Sequence, residues 1–164
     1  MLHSNQSNFT ERNTQMKNYE IERKYLVRVL PERLDSYPFH DIEQGYLCTE
    51  PVVRIRRQDD EYYLTYKSKG LMVREEYNLP LTKEAYFHLR GKIDGLLISK
   101  RRYLIPFGTF TIELDHFSSP KEGLLLAEVE FASKEEALSF HAPDWFGEDV
   151  TNSPQYHNSS LSKL

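Results

Sequence analysis

Cysteine occurs once, at Cys48, in a chain of 164 residues. That excludes an internal disulfide framework and any metal site built from several thiolates. Glycine and proline are sparse, at seven and eight residues, so no low-complexity or collagen-like stretch is present. Apolar runs stop at a handful of residues, Leu124–Ala127 being typical, too short for a membrane-spanning helix. The opening MLHSNQSNFTER lacks the apolar segment of a secretory signal. A basic excess is missing too: 21 Lys and Arg face 25 Asp and Glu, a net charge of −4, which argues against nucleic acid as a partner. His3, His40, His88, His116, His141 and His157 show no metal-ligand spacing and read as surface or packing residues. Ser68-Lys69-Gly70 lacks the spaced glycine and the ending of a phosphate loop. What these absences leave is a cytoplasmic protein without membrane or nucleic-acid partners.

Aromatics, at 13% of the chain, are plentiful enough to build one core, and the length fits one domain. Residues 1–18 are polar and aperiodic and read as a flexible extension; residues 19–164 read as a single domain. From Tyr19 the pattern alternates with period two, the signature of strands. Such runs cover Tyr19–Arg28, Ile42–Cys48, Val52–Gln58, Glu61–Ser68, Met72–Leu79, Ile98–Ile105, Phe110–Phe117 and Leu124–Phe131. Turn-like breaks such as Lys69-Gly70 and Pro106-Phe107-Gly108 separate them. Three helical stretches interrupt the strands: a turn over Pro31–Ser36, a helix over Thr82–Ile93 capped by Thr82, and a short one to Phe140 opened by the capping box from Ser133 to Glu136. Many closely spaced strands with few helices predict an α+β, mainly β fold, with a closed or nearly closed antiparallel sheet.

The charges fall on particular strand faces, because alternate residues of a strand point the same way. Glu20, Glu22 and Lys24 share a face; so do Arg54 and Arg56, Lys100 and Arg102, Glu113 and Asp115, and Glu128 and Glu130. Lys67 lies beside Thr65, and Arg74 with Glu76 completes the set less cleanly. A solvated sheet face would mix neutral polar residues with scattered charges. Same-sign pairs at i and i+2 repel unless a counter-charge lies between them. Rolled inward, these faces make a tunnel with a basic and an acidic wall. Arg57 and Arg101 alternate to the outside. Trp145 and Phe146 read as packing or plugging one end.

These residues resemble the CYTH superfamily, also called triphosphate tunnel metalloenzymes, and within it the short bacterial branch that includes thiamine triphosphatase-like proteins and class IV adenylyl cyclases. Glu20-Ile21-Glu22-Arg23-Lys24 matches the ExExK signature. Arg54-Ile55-Arg56, Thr65-Tyr66-Lys67, Lys100-Arg101-Arg102, Asp115 and Glu128-Val129-Glu130-Phe131 follow in order. ExExK alone is short, but the ordered set spans essentially the whole domain from Tyr19. One position departs: where the family carries a second acid after Glu76, this chain has Asn78.

The resemblance implies an eight-stranded antiparallel tunnel holding a triphosphate and a divalent metal. Lys24, Arg54, Arg56, Lys67, Lys100 and Arg102 would bind the phosphates, and Glu20, Glu22, Glu76, Asp115, Glu128 and Glu130 the metal. Lys24 and Glu130 would act in the chemical step. These charges cancel, so a triphosphate of roughly four to five negative charges balances only with metal present. All-oxygen ligation fits Mg²⁺, with Mn²⁺ a second choice. The activity expected is hydrolysis of inorganic tripolyphosphate or an organic triphosphate. The alternatives are a class IV-type adenylyl cyclase making cyclic AMP from ATP, and a non-catalytic polyphosphate-binding module. The partner implied is a triphosphate-containing small molecule; the oligomeric state is left open.

Overall fold

The computed structural model describes residues 18–164. The expected flexible extension lies outside the described residues, apart from Asn18, whose carbonyl accepts a hydrogen bond from the Glu76 amide at 2.8 Å. The described residues form nine strands: β1 (Tyr19–Val27), β2 (Phe39–Thr49), β3 (Val52–Gln58), β4 (Glu61–Lys67), β5 (Val73–Pro80), β6 (Asp94–Phe107), β7 (Phe110–Ser119), β8 (Leu125–Glu130) and β9 (Phe146–Asp149). Three helices accompany them: α1 (Lys83–Arg90), α2 (Lys134–Ser139) and α3 (Asn158–Leu161). None of these helices is long and apolar enough to cross a membrane.

Eight strands close into a ring in the order β1–β5–β4–β3–β2–β6–β7–β8 and back to β1, with every neighbouring pair antiparallel. The fold is thus the expected eight-stranded tunnel. Closure depends on β1, which changes partners along its length. Tyr19–Ile21 pairs with β5, whereas Glu22–Leu26 pairs with β8. Where β5 departs, β9 covers the exposed edge, pairing Tyr25 with Asp149 and Val27 with Phe146.

The alternation of each strand is inverted relative to an ordinary small barrel: charges point in, and much of the apolar core lies outside the wall. Tyr25, Tyr103, Ile105, Ile112, Leu114, Ala127 and Val129 face outward from β1, β6, β7 and β8. They are covered by Ala137 of α2, Phe131, Phe140 and Phe146. Tyr25 meets Phe146 with ring centroids 4.7 Å apart, and Phe131 meets Phe140 at 5.2 Å, separations typical of productive aromatic pairs. The tail packing read for Trp145 and Phe146 is realised in this outer core. A second apolar cluster, formed by Tyr46, Val52, Ile98, Phe117 and Leu126 with Val150 and Leu161 of the tail, closes one end of the lumen.

Local capping follows the sequence. Thr82 accepts a hydrogen bond from the Ala85 amide at 3.1 Å, and Ser133 accepts one from the Glu136 amide at 3.1 Å. Some boundaries differ from the expected ones. α1 ends at Arg90, because Gly91 caps it. The turn read from Pro31 is a short 3-10 turn at Leu34–Ser36, preceded by Arg33 in the left-handed region at φ 55°. β9 and α3 were not expected, since four-residue segments carry too little periodicity to show.

Gly45 sits on β2 opposite Ile55 of β3, where a Cβ would lie 2.7 Å from Ile93 Cγ2. Ile93 fits against the sheet only because this position has no side chain. Gly45→Ala is therefore expected to destabilise the protein by about 1–3 kcal/mol through overpacking, read as a lowered midpoint in urea unfolding. Ile93→Ala in the same chain should recover part of that loss.

Candidate active site

The lumen holds a cavity of about 340 Å³. Strand alternation delivers its charged lining: Glu20, Glu22 and Lys24 from β1, Arg54 and Arg56 from β3, Lys67 from β4, Arg74 and Glu76 from β5, Arg102 from β6, Glu113 from β7, and Glu128 and Glu130 from β8. Ten of the twelve expected site residues are brought together here.

Lys100 and Asp115 point inward as well, at i and i+2 from Arg102 and Glu113, but lie below the cavity and do not line it. Asp115 is fully buried on the inward face, between Glu113 at the cavity and Phe117 at the closed end. Arg102 grips it through Nε at 2.7 Å and Nη2 at 2.8 Å, and Lys100 Nζ donates to it at 2.6 Å. Burial alone would push the Asp115 carboxyl up; Arg102 and Lys100 outweigh that and hold it below its usual range. Burial likewise pulls the Lys100 ammonium down, against Asp115, to about 7. Asp115 thus acts as counter-ion to Arg102 and Lys100, with three charged hydrogen bonds on its two oxygens. Arg102 reaches on to Glu128 at 3.3 Å and to Glu113, which makes it the hub of this wall.

Glu113 and Arg74 are the lining charges left out of the expected set. Both were visible as i, i+2 partners, of Asp115 and Glu76, but only the register across strands shows which member of a pair reaches the cavity. Arg74 Nη2 lies 3.6 Å from Glu22 and 3.9 Å from Glu20. His157, read from sequence as surface or packing, is buried and lines the cavity with Asn158 and Ser159; its Nε2 is 3.3 Å from the Thr151 carbonyl. Asn158 accepts a hydrogen bond from Lys100 at 3.2 Å. Arg57 and Arg101 lie outside as expected, Arg101 pairing with Asp41 at 2.7 Å.

Two features of this lining are unbalanced. Among the described residues, neither Arg54 nor Arg56 has a carboxylate partner: Arg56 donates only to Gln44 Oε1, at 3.0 and 2.7 Å. Arg54 donates to Thr65 Oγ1 at 3.3 Å, and its Nε is buried with no hydrogen bond. Burial, Arg54 and Arg102 together pull the Arg56 guanidinium down, to about 9. Unpaired buried cations are costly, and an anion relieves them.

The acids show the complementary shortage. Glu22 stands directly opposite Glu130 across β1 and β8, and Glu113 opposite Glu128 across β7 and β8; like charges in that position repel. Glu128 is held far below its usual range by Lys24 at 3.2 Å and by Arg102 against the cost of burial, although its buried Oε1 accepts no hydrogen bond. Glu130 and Glu113 are both pushed up, by burial first. Glu20 is pushed up to about 9 by burial and the charge of Glu22, against the opposing charge of Lys67, whose Nζ lies 2.6 Å from it. Glu76 is kept ionised near 2 despite burial, by hydrogen bonds from Glu20 and Asn78 and by Lys67, whose Nζ is 3.1 Å away. Hard oxygen donors that repel one another fit a divalent cation. Among the described residues no three of them already converge as a preformed ion site, so binding must turn them away from their present partners.

Residues 18–164 match the CYTH domain family. An inorganic triphosphatase of Nitrosomonas europaea is 38% identical over 149 residues, covering 87% of this chain and 96% of that protein. An inorganic triphosphatase of Acetivibrio thermocellus is 40% identical over 153 residues, covering 88% and 93%. A crystal structure of an inorganic triphosphatase is similar with a TM-score of 0.67 at 34% identity, covering 88% of this chain and 95% of that one.

Asp115→Ala strands two buried cations, and should cost about 3–5 kcal/mol of stability in urea unfolding. A second expectation concerns pH. Folded Glu20 keeps its proton from its ordinary 4.5 up to about 9. Its contribution to stability is therefore full below pH 4.5 and is lost as pH rises toward the folded value. A divalent cation among the acids offsets that loss, so the rise in Tm it produces should be larger at about pH 8.5 than at about pH 5.5. Equal rises at the two values would contradict the assignment.

Proposed function

The chain belongs to the CYTH domain family, and from that premise we propose that it is a metal-dependent triphosphatase, hydrolysing inorganic tripolyphosphate or the triphosphate of an organic molecule inside the charged tunnel. The observation that carries this reading is the double shortage in one cavity: the guanidiniums of Arg54 and Arg56 have no carboxylate partner among the described residues, while six carboxyls divide four cations among them and Glu22 stands directly opposite Glu130. A metal–polyphosphate pair answers both. The two similar proteins named as inorganic triphosphatases favour the inorganic substrate. The cyclase alternative is not favoured: the lining is mostly charged, with Tyr46, Tyr63 and His157 its aromatic members, and offers no apolar slot for a base.

In this reading Arg54 and Arg56 hold phosphate oxygens with forked donors, for which guanidinium geometry is suited. Lys24 and Lys67 add compact point charges. Lys24 is fully buried, yet Glu128 and Glu22 hold its proton on, so it stays cationic and neutralises charge developing on the transferred phosphoryl group. Glu20, Glu22, Glu76, Glu128 and Glu130 hold the cation, with Glu113 taking the part expected of Asp115. Carboxylate ligation favours Mg²⁺, then Mn²⁺. When bound, the ion supplies neutralisation across the phosphate oxygens. Glu130, at the exposed mouth with its carboxyl raised, orients the attacking water and accepts its proton.

The test is phosphate release from tripolyphosphate, ATP, GTP and thiamine triphosphate, with Mg²⁺ or Mn²⁺ and with EDTA. Tripolyphosphate should yield pyrophosphate and phosphate fastest, and EDTA should abolish release. Cyclic AMP formed from ATP would overturn the reading. Arg56→Ala should raise KM and lower kcat, whereas Glu130→Gln should lower kcat sharply and raise the metal requirement. Arg57→Ala, on the outer face, should change neither.

A further inference from the structure

Across three adjacent strands, register places Arg54 opposite Thr65 and Thr65 opposite Asn78. Their side chains form a chain of hydrogen bonds along the tunnel wall. Arg54 Nη2 donates to Thr65 Oγ1 at 3.3 Å, Thr65 Oγ1 donates to Asn78 Oδ1 at 2.6 Å, and Asn78 Nδ2 donates to Glu76 Oε1 at 2.7 Å. Its direction is fixed at both ends, because a guanidinium only donates and a carboxylate only accepts. The Thr65 hydroxyl must therefore pass its hydrogen to Asn78, and the amide must turn its nitrogen to Glu76. All four side chains line the cavity. An aspartate at 78 would replace the donor facing Glu76 with a second anion, and an apolar residue would break the chain.

We propose that Asn78 is a positioning residue, which sets the Glu76 carboxylate for the cation and, through Thr65, ties it to the phosphate-gripping Arg54. This rests on the metal–polyphosphate reading above. The amide brings no charge of its own to the acidic wall. It fixes the orientation of Glu76, the β5 acid that lines the cavity, and makes that orientation depend on a residue of the basic wall. Thr65 thereby affects the cation without being one of its ligands.

The test is calorimetric titration of Mn²⁺ alone into the metal-free full chain. Asn78→Ala and Thr65→Val should each weaken Mn²⁺ binding about ten-fold, the low end of what losing an outer partner costs a metal site. The double variant should be no weaker than either single, since both break one chain. Thr65→Ser, which keeps the hydroxyl, should bind as wild type does. Thermal unfolding verifies that each variant is folded; Val matches Thr in shape, so Thr65→Val should keep the wall intact. Wild-type binding by Thr65→Val, or additive losses in the double variant, would overturn the proposal while leaving the triphosphatase reading in place. A wild type that takes up no Mn²⁺ and releases no phosphate would overturn both.

Discussion

Burying charge inside a closed sheet is the constraint on which this molecule is built. Six cationic and six acidic side chains line one cavity, and ions removed from water must find partners or neutralise. Because the inner face of the strands is given to ions, much of the apolar burial that stabilises the fold moves to the outside of the wall. That explains why the aromatic cluster under α2 and β9 lies behind β1, β6, β7 and β8 rather than within the ring. It also explains the second cluster at one end, where the same alternation runs past the charges into Ile98, Phe117 and Leu126 and the tail packs over them.

The interior ions divide into two kinds. Asp115 with Lys100 and Arg102 is satisfied within the protein and holds neighbouring strands in register. Arg54 and Arg56 have no carboxylate partner among the described residues, Glu20, Glu22 and Glu113 share their cations with other carboxylates, and Glu130 faces Glu22. A fold tolerates such frustration where a ligand completes it. The same distinction separates residues whose loss should unfold the protein from those whose loss should empty the site. Arg102 belongs to both groups, since it holds Asp115 below the cavity and reaches Glu113 and Glu128 within it.

Much of this was legible in the sequence, because alternation is local. Residues i and i+2 share a strand face whatever the fold, so the charged faces, the apolar faces behind them and the caps at Thr82 and Ser133 could all be read directly. Ten of the twelve residues expected to face inward line the cavity for the same reason. Glu20, Glu22 and Lys24 on β1 had to point one way together, and the absence of scattered neutral residues among them marked that side as unusual.

Only the tertiary structure decided how deep each charge sits and what it meets. Asp115 and Glu113 look equivalent along β7, yet register sets Asp115 against Arg102 and Leu126, and Glu113 against Leu104 and Glu128. Both point inward, but Asp115 is sealed at the closed end of the lumen and Glu113 opens on the cavity. Asn78 reads as a lost acid in sequence; in the fold it faces Thr65 and joins Arg54 to Glu76. β9 exists because β1 leaves an edge to cover, and His157 reaches the lumen because the tail packs over its end. Each of these depends on separations of tens of residues being brought to a few ångströms by closure of the ring. The sequence alone determined which residues face inward together, since that is a property of two neighbouring peptide units; which of them meet was decided by the register of eight strands.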